Sequence, residues 1–291
     1  MGLGPLIDVI LREHMHKPLH GDALFIGRQT VALTREGALA KLKSHGIRPA
    51  IDPAAIETDT STIHHQPGFE NNISDVSFLR LLGLRNIRAL DRSSYEKAEI
   101  IHDLRRPLPQ RLRRSADIVI DGSTLDNVFT PATVLQNFAW LLKPGGRLFM
   151  HNAASPHDTA YVLTTPMWYV DYFVTNGFAD CKVYVIVEDK KDFNVFYVDL
   201  AQIEERRRDM GRFLSSRPLS IVVFAEKSAR STWNKLPIQQ DYRSLAEWTS
   251  YLANVAAILQ SKRPHLLASS TERFLSESEV QGGHIYIPKD S

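Results

Sequence analysis

DALFIGRQTVALT, residues 22–34, decides the fold. Ala23-Leu24-Phe25-Ile26 is an unbroken apolar run, the pattern of a strand covered on both faces. It stops at Gly27, as the first strand of a nucleotide-binding βα unit does. Such a turn normally carries several glycines, and this one has a single glycine. The stretch is therefore either a nucleotide site with unusual chemistry or the remains of one.

Working outward, strands and helices alternate. Leu6, Ile7, Ile10 and Leu11 share one helical face, so a short helix precedes the first strand. Thr34 is placed to cap a helix that runs through Lys43 to Gly46. Residues 47–73 read as irregular, with three prolines and few large apolar residues. We expect that segment to be a cover over the ligand side of the sheet, or a plain surface excursion. A helix capped by Ser74 or Asp75 and ended by Gly83 follows, then strands at 86–91, near 98–101 and at 117–121. Thr130-Pro131 starts the next helix, and Lys143-Pro144-Gly145-Gly146 is expected to stop it before a strand at 147–150. Further elements are expected as a helix near 166–176, strands at 181–187 and 194–199, a basic helix near 201–214 and a strand at 219–224. Ser244 and Glu247 form the sequence pattern of a capping box for a last amphipathic helix. The alternation implies a mostly parallel sheet with helices on both faces.

In an open sheet of this kind, ligands bind at the carboxyl ends of the strands. Successive strands here end at Gly27, Asp91, near Asp103, and at Asp121. A carboxylate at Asp91 can accept two hydrogen bonds from ribose hydroxyls. One at Asp103 can accept from an exocyclic amine such as that of adenine. Gly27 lets a ligand approach the backbone closely.

These residues resemble the class I S-adenosylmethionine-dependent methyltransferases. The resemblance rests on IRALDRSSYEKAEIIHDLRRPLP, ADIVIDGSTLDNVF and LLKPGGRLFM, within residues 87–150. It narrows to a bacterial group with a GRQ turn, an hDLN-P-P segment, a DGGTLEHVFN segment and a later NGF. The counterparts are Gly27-Arg28-Gln29, His102-Asp103-Leu104, the run from Asp121 to Phe129, and Asn176-Gly177-Phe178. The resemblance covers about residues 20–228. It implies a Rossmann-like, doubly wound sheet of seven strands over residues 1–228, with residues 229–291 as a helical extension packed on it. It implies S-adenosyl-L-methionine as cofactor, held by Gly27, Arg28, Asp91, Arg92, Asp103, Leu104, Asp121 and Gly122. Arg28 is expected to meet the cofactor carboxylate. The reaction implied is methyl transfer to an oxygen or nitrogen of a small-molecule or glycan acceptor.

Two departures lie on the acceptor side. Asp126-Asn127 replaces the group's Glu-His, and Asp158-Thr159-Ala160-Tyr161 replaces a Gly-His-Gly-Phe-Tyr-type segment. A hydroxyl acceptor needs a general base. With no histidine at 127, the candidates are Asp121 and His151, with Asn127 as a further contact. The rival expectation is a methyltransferase-like binding module without catalysis. A nicotinamide-dependent oxidoreductase is disfavoured by the absence of GxGxxG.

Composition narrows the rest. The 291-residue chain carries a formal charge of +2, so no global field points to nucleic acid. The arginines of 105–114 and Arg206-Arg207-Arg208 lack interleaved aromatics and read as solvated faces. Cys181 is the single cysteine, which fits a reducing cytoplasm. The residues from Met1 to Lys17 do not read as a signal peptide, and no apolar run is long enough to span a bilayer. His14, His16, His20, His64 and His65 lack a completing carboxylate or cysteine pattern, so no metal site is expected.

Overall fold

A computed structural model describes residues 2–60, 70–155, 160–188, 193–202, 218–261, 263 and 269–270. Helix α1 (Leu6–His16) leads into β1 (Asp22–Ile26) and α2 (Arg35–Ser44). Then come α3 (Asp75–Leu81), β2 (Asn86–Asp91), β3 (Ile100–Ile101) and β4 (Ala116–Asp121). The chain continues through α4 (Pro131–Leu141), β5 (Leu142–Ala153), α5 (Pro166–Thr175), β6 (Asp180–Glu188) and β7 (Phe193–Tyr197). It ends with β8 (Leu219–Glu226), α6 (Leu245–Gln260) and the two-residue β9 (Ser269–Ser270).

Side chains close the helix starts where the sequence placed them. Thr34 accepts the Gly37 N–H, Ser74 accepts the Ser77 N–H, and Ser244 with Glu247 forms a reciprocal capping box. The turn of Lys143 to Gly146 behaves differently from expectation. Helix α4 stops at Leu141, and these four residues open the long strand β5. Gly146 lies so close to its neighbours that a Cβ would come 2.8 Å from the Lys143 carbonyl oxygen and 3.2 Å from that of Ala116. Close backbone packing, rather than a helix stop, is what this glycine provides.

The strands form one sheet in the order β3-β2-β1-β4-β5-β8-β6-β7-β9. The five from β3 to β5 are mutually parallel. Strand β8 runs antiparallel to β5, β6 to β8, and β7 to β6. The sheet is thus α/β and mostly parallel, but it has nine strands among the described residues instead of the seven expected. The extra width comes from β7, which hairpins onto β6, and from β9 beside it.

Alternate residues of each strand point to opposite faces. Leu24, Ile26, Val119, Leu148 and Met150 pack with residues of α4, α5 and α6. Ala23, Phe25, Ile118, Ile120 and Phe149 pack with residues of α1, α2 and α3. Both faces are therefore covered, which explains the unbroken apolar run in β1. Helix α6 joins the first layer through Tyr251, Val255 and Ile258. Arg243 anchors its start: the guanidinium lies 3.9 Å from the Tyr251 ring centre and 3.1 Å from the Asp171 carboxylate. No helix among the described residues is long and apolar enough to cross a membrane.

At the amino edge of the parallel strands the core holds a charged cluster. Lys182 Nζ lies 2.5 Å from Glu13 and 3.5 Å from Asp180. Arg263 and Lys17 hold Glu226 at 2.5 and 3.0 Å. Arg147 donates to the carbonyls of Lys17 and Pro18 at 2.6 and 2.8 Å, tying the end of α1 to the sheet.

Candidate functional site

The strand order reverses between β2-β1 and β4-β5, so the carboxyl ends of β1, β2 and β4 diverge there and leave a crevice. Gly27 turns the chain out of β1 with φ +68°, and its N–H donates to the Leu90 carbonyl at 2.8 Å. A Cβ at this position would lie 3.4 Å from Asp91 Oδ2 and 3.8 Å from Thr124 Oγ1. Left-handed backbone and close approach both favour glycine. Thr124 Oγ1 and Gln29 Nε2 donate to the Ile26 carbonyl at 3.1 and 2.8 Å, which fixes the end of β1.

The crevice is a cleft of about 310 Å³, at the lower end of small-molecule sites. Gly27, Asp91, Arg92, Asp103, Leu104 and Asn127 line it, six of the residues expected from the sequence. Asp91 accepts the Ser93 N–H at 3.2 Å through Oδ1, and Oδ2 faces Gly27. Asp103 is held by Arg105, whose guanidinium keeps the carboxyl well below the usual carboxylate range. Asn127 donates to the Ser123 carbonyl at 3.0 Å.

The remaining expected residues do not line the cleft. Arg28 turns away to Glu99 at 2.8 Å and Asp75 at 3.7 Å. Burial pushes the Asp75 carboxyl up to about 6, although it accepts the Gln29 N–H and faces Arg28. Asp121 is fully buried and accepts the Thr124 N–H at 2.6 Å and the Leu125 N–H at 3.4 Å. Burial pushes it up to about 7. Gly122 packs against Gln29 and the Gly2 carbonyl. His151 points to the opposite face of β5, closed over by the N-terminal segment. Its Nε2 lies 2.9 Å from Ser220 Oγ, and burial lowers its pKa to about 4.

Further residues, of which Tyr161 and Asp126 were expected on the acceptor side and Phe129 and Asn137 were not singled out, line or support the cleft. Phe129 and Tyr161 line its mouth with ring centres 5.3 Å apart, and they are 77% and 69% exposed. Tyr161 is placed by its N–H, which donates to the Asp126 carbonyl at 2.8 Å. The Asp126 carboxylate is buried and accepts the Ala153 N–H at 2.7 Å. Asn137, buried on α4, donates to the Leu104 and Arg106 carbonyls at 3.0 and 2.9 Å and accepts the Leu108 N–H at 3.0 Å. A polar residue inside the otherwise apolar stripe of α4 was its sequence signal.

His64, His65, Asp158, Thr159 and Arg206-Arg207-Arg208 lie outside the described residues, as do 61–69 of the expected cover and 203–214 of the expected basic helix. The described flanks of the cover pair with each other at Thr58–Ile73, and one of them pairs with the body of the protein at Thr34–Asn72. Among the described residues no three of His, Cys, Asp or Glu are grouped to hold a metal ion.

No family model matches this chain. No curated protein matches it. Solved structures that are similar to it include the CMeT domain of the citrinin polyketide synthase, at 12% identity and TM-score 0.35, over 72% of this chain and 47% of that one. Another is the Haemonchus contortus phosphoethanolamine N-methyltransferase 2 in complex with S-adenosyl-L-methionine, at 12% identity and TM-score 0.37, over 77% of this chain and 52% of that one. A third is a SAM-dependent methyltransferase from Archaeoglobus fulgidus, at 12% identity and TM-score 0.37, over 77% of this chain and 94% of that one. This chain spans about half the length of the first two.

Proposed function

We propose that the chain is a bacterial, cytoplasmic S-adenosyl-L-methionine-dependent methyltransferase acting on a small-molecule or glycan acceptor. The observation that carries this reading is the meeting of Gly27, Asp91 and Asp103 on one cleft at the carboxyl ends of adjacent parallel strands. The lining of the cleft fits the cofactor. Asp91 Oδ2 is placed for ribose hydroxyls, Asp103 for the adenine amine, and the Gly27 backbone and Leu104 for close apolar contact. Bound there, S-adenosylmethionine supplies an electrophilic sulfonium methyl. The protein's part is to orient the acceptor and to exclude water. Asn127, Phe129 and Tyr161 form the acceptor side. We assign residues 1–228 to the catalytic domain and 229–291 to an extension upon it.

The placement of His151 and Asp121 bears on the acceptor atom. Neither candidate base faces the cleft, and the Asn127 amide cannot take up a proton. A neutral amine or ring nitrogen attacks through its lone pair without prior deprotonation, whereas a hydroxyl relies on a base. The reading therefore favours a nitrogen acceptor. The same placement favours the rival reading, a binding module without catalysis. Methyl transfer to any acceptor, abolished in Asp91→Ala, rejects that rival.

The test is calorimetric titration with S-adenosylmethionine and S-adenosylhomocysteine. Hydrogen bonds to a charged group contribute about 1.5–3 kcal/mol. Asp91→Ala is therefore expected to weaken binding by about 10- to 150-fold while the melting temperature stays close to that of the parent. Absence of binding at millimolar cofactor overturns the proposal, and preferential binding of NADH replaces it with the oxidoreductase.

A further inference from the structure

Asp103 is an acid whose two oxygens are both already engaged. Arg105, two residues later, reaches back and donates from Nε to Oδ1 at 2.9 Å and to Oδ2 at 3.0 Å. Its Nη2 donates to Oδ2 at 2.6 Å, and its backbone N–H donates to Oδ1 at 3.0 Å. A base amine arriving at Asp103 meets a carboxylate whose two oxygens are both engaged.

The turn that carries the pair is fixed, while the arginine side chain is not. Asn137 holds the carbonyls on either side of Arg105, those of Leu104 and Arg106. The Arg106 N–H donates to the Asp103 carbonyl at 3.0 Å. The Arg105 side chain itself is half exposed and makes no hydrogen bond to another part of the described chain. It can leave Asp103 by rotating its own bonds, with no movement of the backbone.

We infer that Arg105 is a latch on the base subsite, which sets both the affinity for the cofactor and its dependence on salt. The inference rests on the cofactor reading above. With the latch closed, its fork occupies the oxygens that would accept an exocyclic amine. With the latch open, the guanidinium turns to solvent and Asp103 receives the base. Apparent affinity is then the intrinsic affinity multiplied by the fraction of protein in the open state. An exposed ion pair of this kind holds its closed form by a factor of about two to five. Salt screens such a pair, so it also weakens the latch.

The experiment titrates the full chain and its Arg105→Ala variant with adenosine, inosine and S-adenosylhomocysteine at low and high salt. Adenosine and S-adenosylhomocysteine are expected to bind the variant about two- to fivefold more tightly at low salt. The gap should close at high salt, because the parent gains affinity relative to the variant. Inosine offers a carbonyl where adenosine offers an amine, so it should gain nothing from the substitution. Equal or weaker binding of adenosine to the variant overturns the latch and leaves the cofactor reading standing. Equal gains for adenosine and inosine also overturn it, since they indicate relief of crowding. Absence of any binding to either protein overturns the cofactor reading and the latch with it.

Discussion

Replacing Lys182 with methionine is expected to lower stability at pH 7 by about 3–5 kcal/mol. Lys182 sits on β6 with its side chain 2% exposed, and its ammonium lies between the buried carboxylates of Glu13 and Asp180. The substitution keeps an apolar stem and removes the charge. Glu13, on the inner face of α1, then has no side-chain cation at contact distance among the described residues. Its carboxyl is already raised by burial, and Lys182 is what pulls it back down. Removing one partner of a buried pair leaves an uncompensated charge, whereas removing both is often nearly neutral. The double variant Glu13→Gln/Lys182→Met should therefore recover much of the loss, giving a coupling well above that of independent sites. The single variant's loss should also shrink as pH falls, because protonation relieves the unpaired Glu13 carboxylate, which burial already raises. Urea unfolding of the parent, both singles and the double measures all of this. A loss under about 1 kcal/mol, or additive singles, means the cluster is hydrated rather than dry.

That cluster also shows where sequence reasoning stopped. Glu13 reads as a polar interruption of an apolar run. Its partner lies 169 residues away, and no local period links the two. The strand ends were legible because their cause is local. Apolar runs stop at Gly27 and Asp91, and parallel topology brings those ends together. His151 was misplaced for the opposite reason. It follows the fifth parallel strand's apolar core, so it reads as an end-of-strand site residue. Strand alternation instead turns it to the other face, where the backbone at Gly2 and Gly4 covers it. Asp121 reads like Asp91, yet the turn after it folds the Thr124 and Leu125 N–H groups onto its carboxylate and buries it. The extra strands were half legible. Residues 194–199 have a strand's composition, and only the family resemblance fixed the expected number at seven.

Replacing Asp121 with asparagine is expected to change how stability responds to pH. The Asp121 carboxyl is pushed up to about 7, from the 3.8 of a free aspartate, first by burial and then by the nearby charge of Asp126. Between those values the folded protein holds a proton that the unfolded chain releases. The stability associated with that proton is fully present below about pH 3.8 and is lost as pH rises through about 7. A shift of this size corresponds to roughly 4 kcal/mol. Other buried groups also make stability depend on pH, Glu13 and Asp180 among them, both raised by burial. Asp75, raised to about 6, acts in the same sense. His151, lowered to about 4, acts oppositely: its contribution is present above 6.5 and is lost as pH falls towards 4. The parent's own pH profile is therefore a sum of opposing slopes and identifies none of them. The difference between Asp121→Asn and the parent isolates one, because the other groups are common to both. Asparagine keeps an oxygen for the Thr124 N–H and cannot ionise. The variant should be near or slightly below the parent at pH 5, and its relative stability should rise by about 2.5 kcal/mol by pH 8. Urea unfolding at unit intervals from pH 5 to pH 8 gives the difference directly. A constant difference across that range means that Asp121 is ionised throughout. The hydrogen bonds it accepts from the Thr124 and Leu125 N–H groups would then outweigh its burial, while its side chain stays off the cleft and withheld from the acceptor.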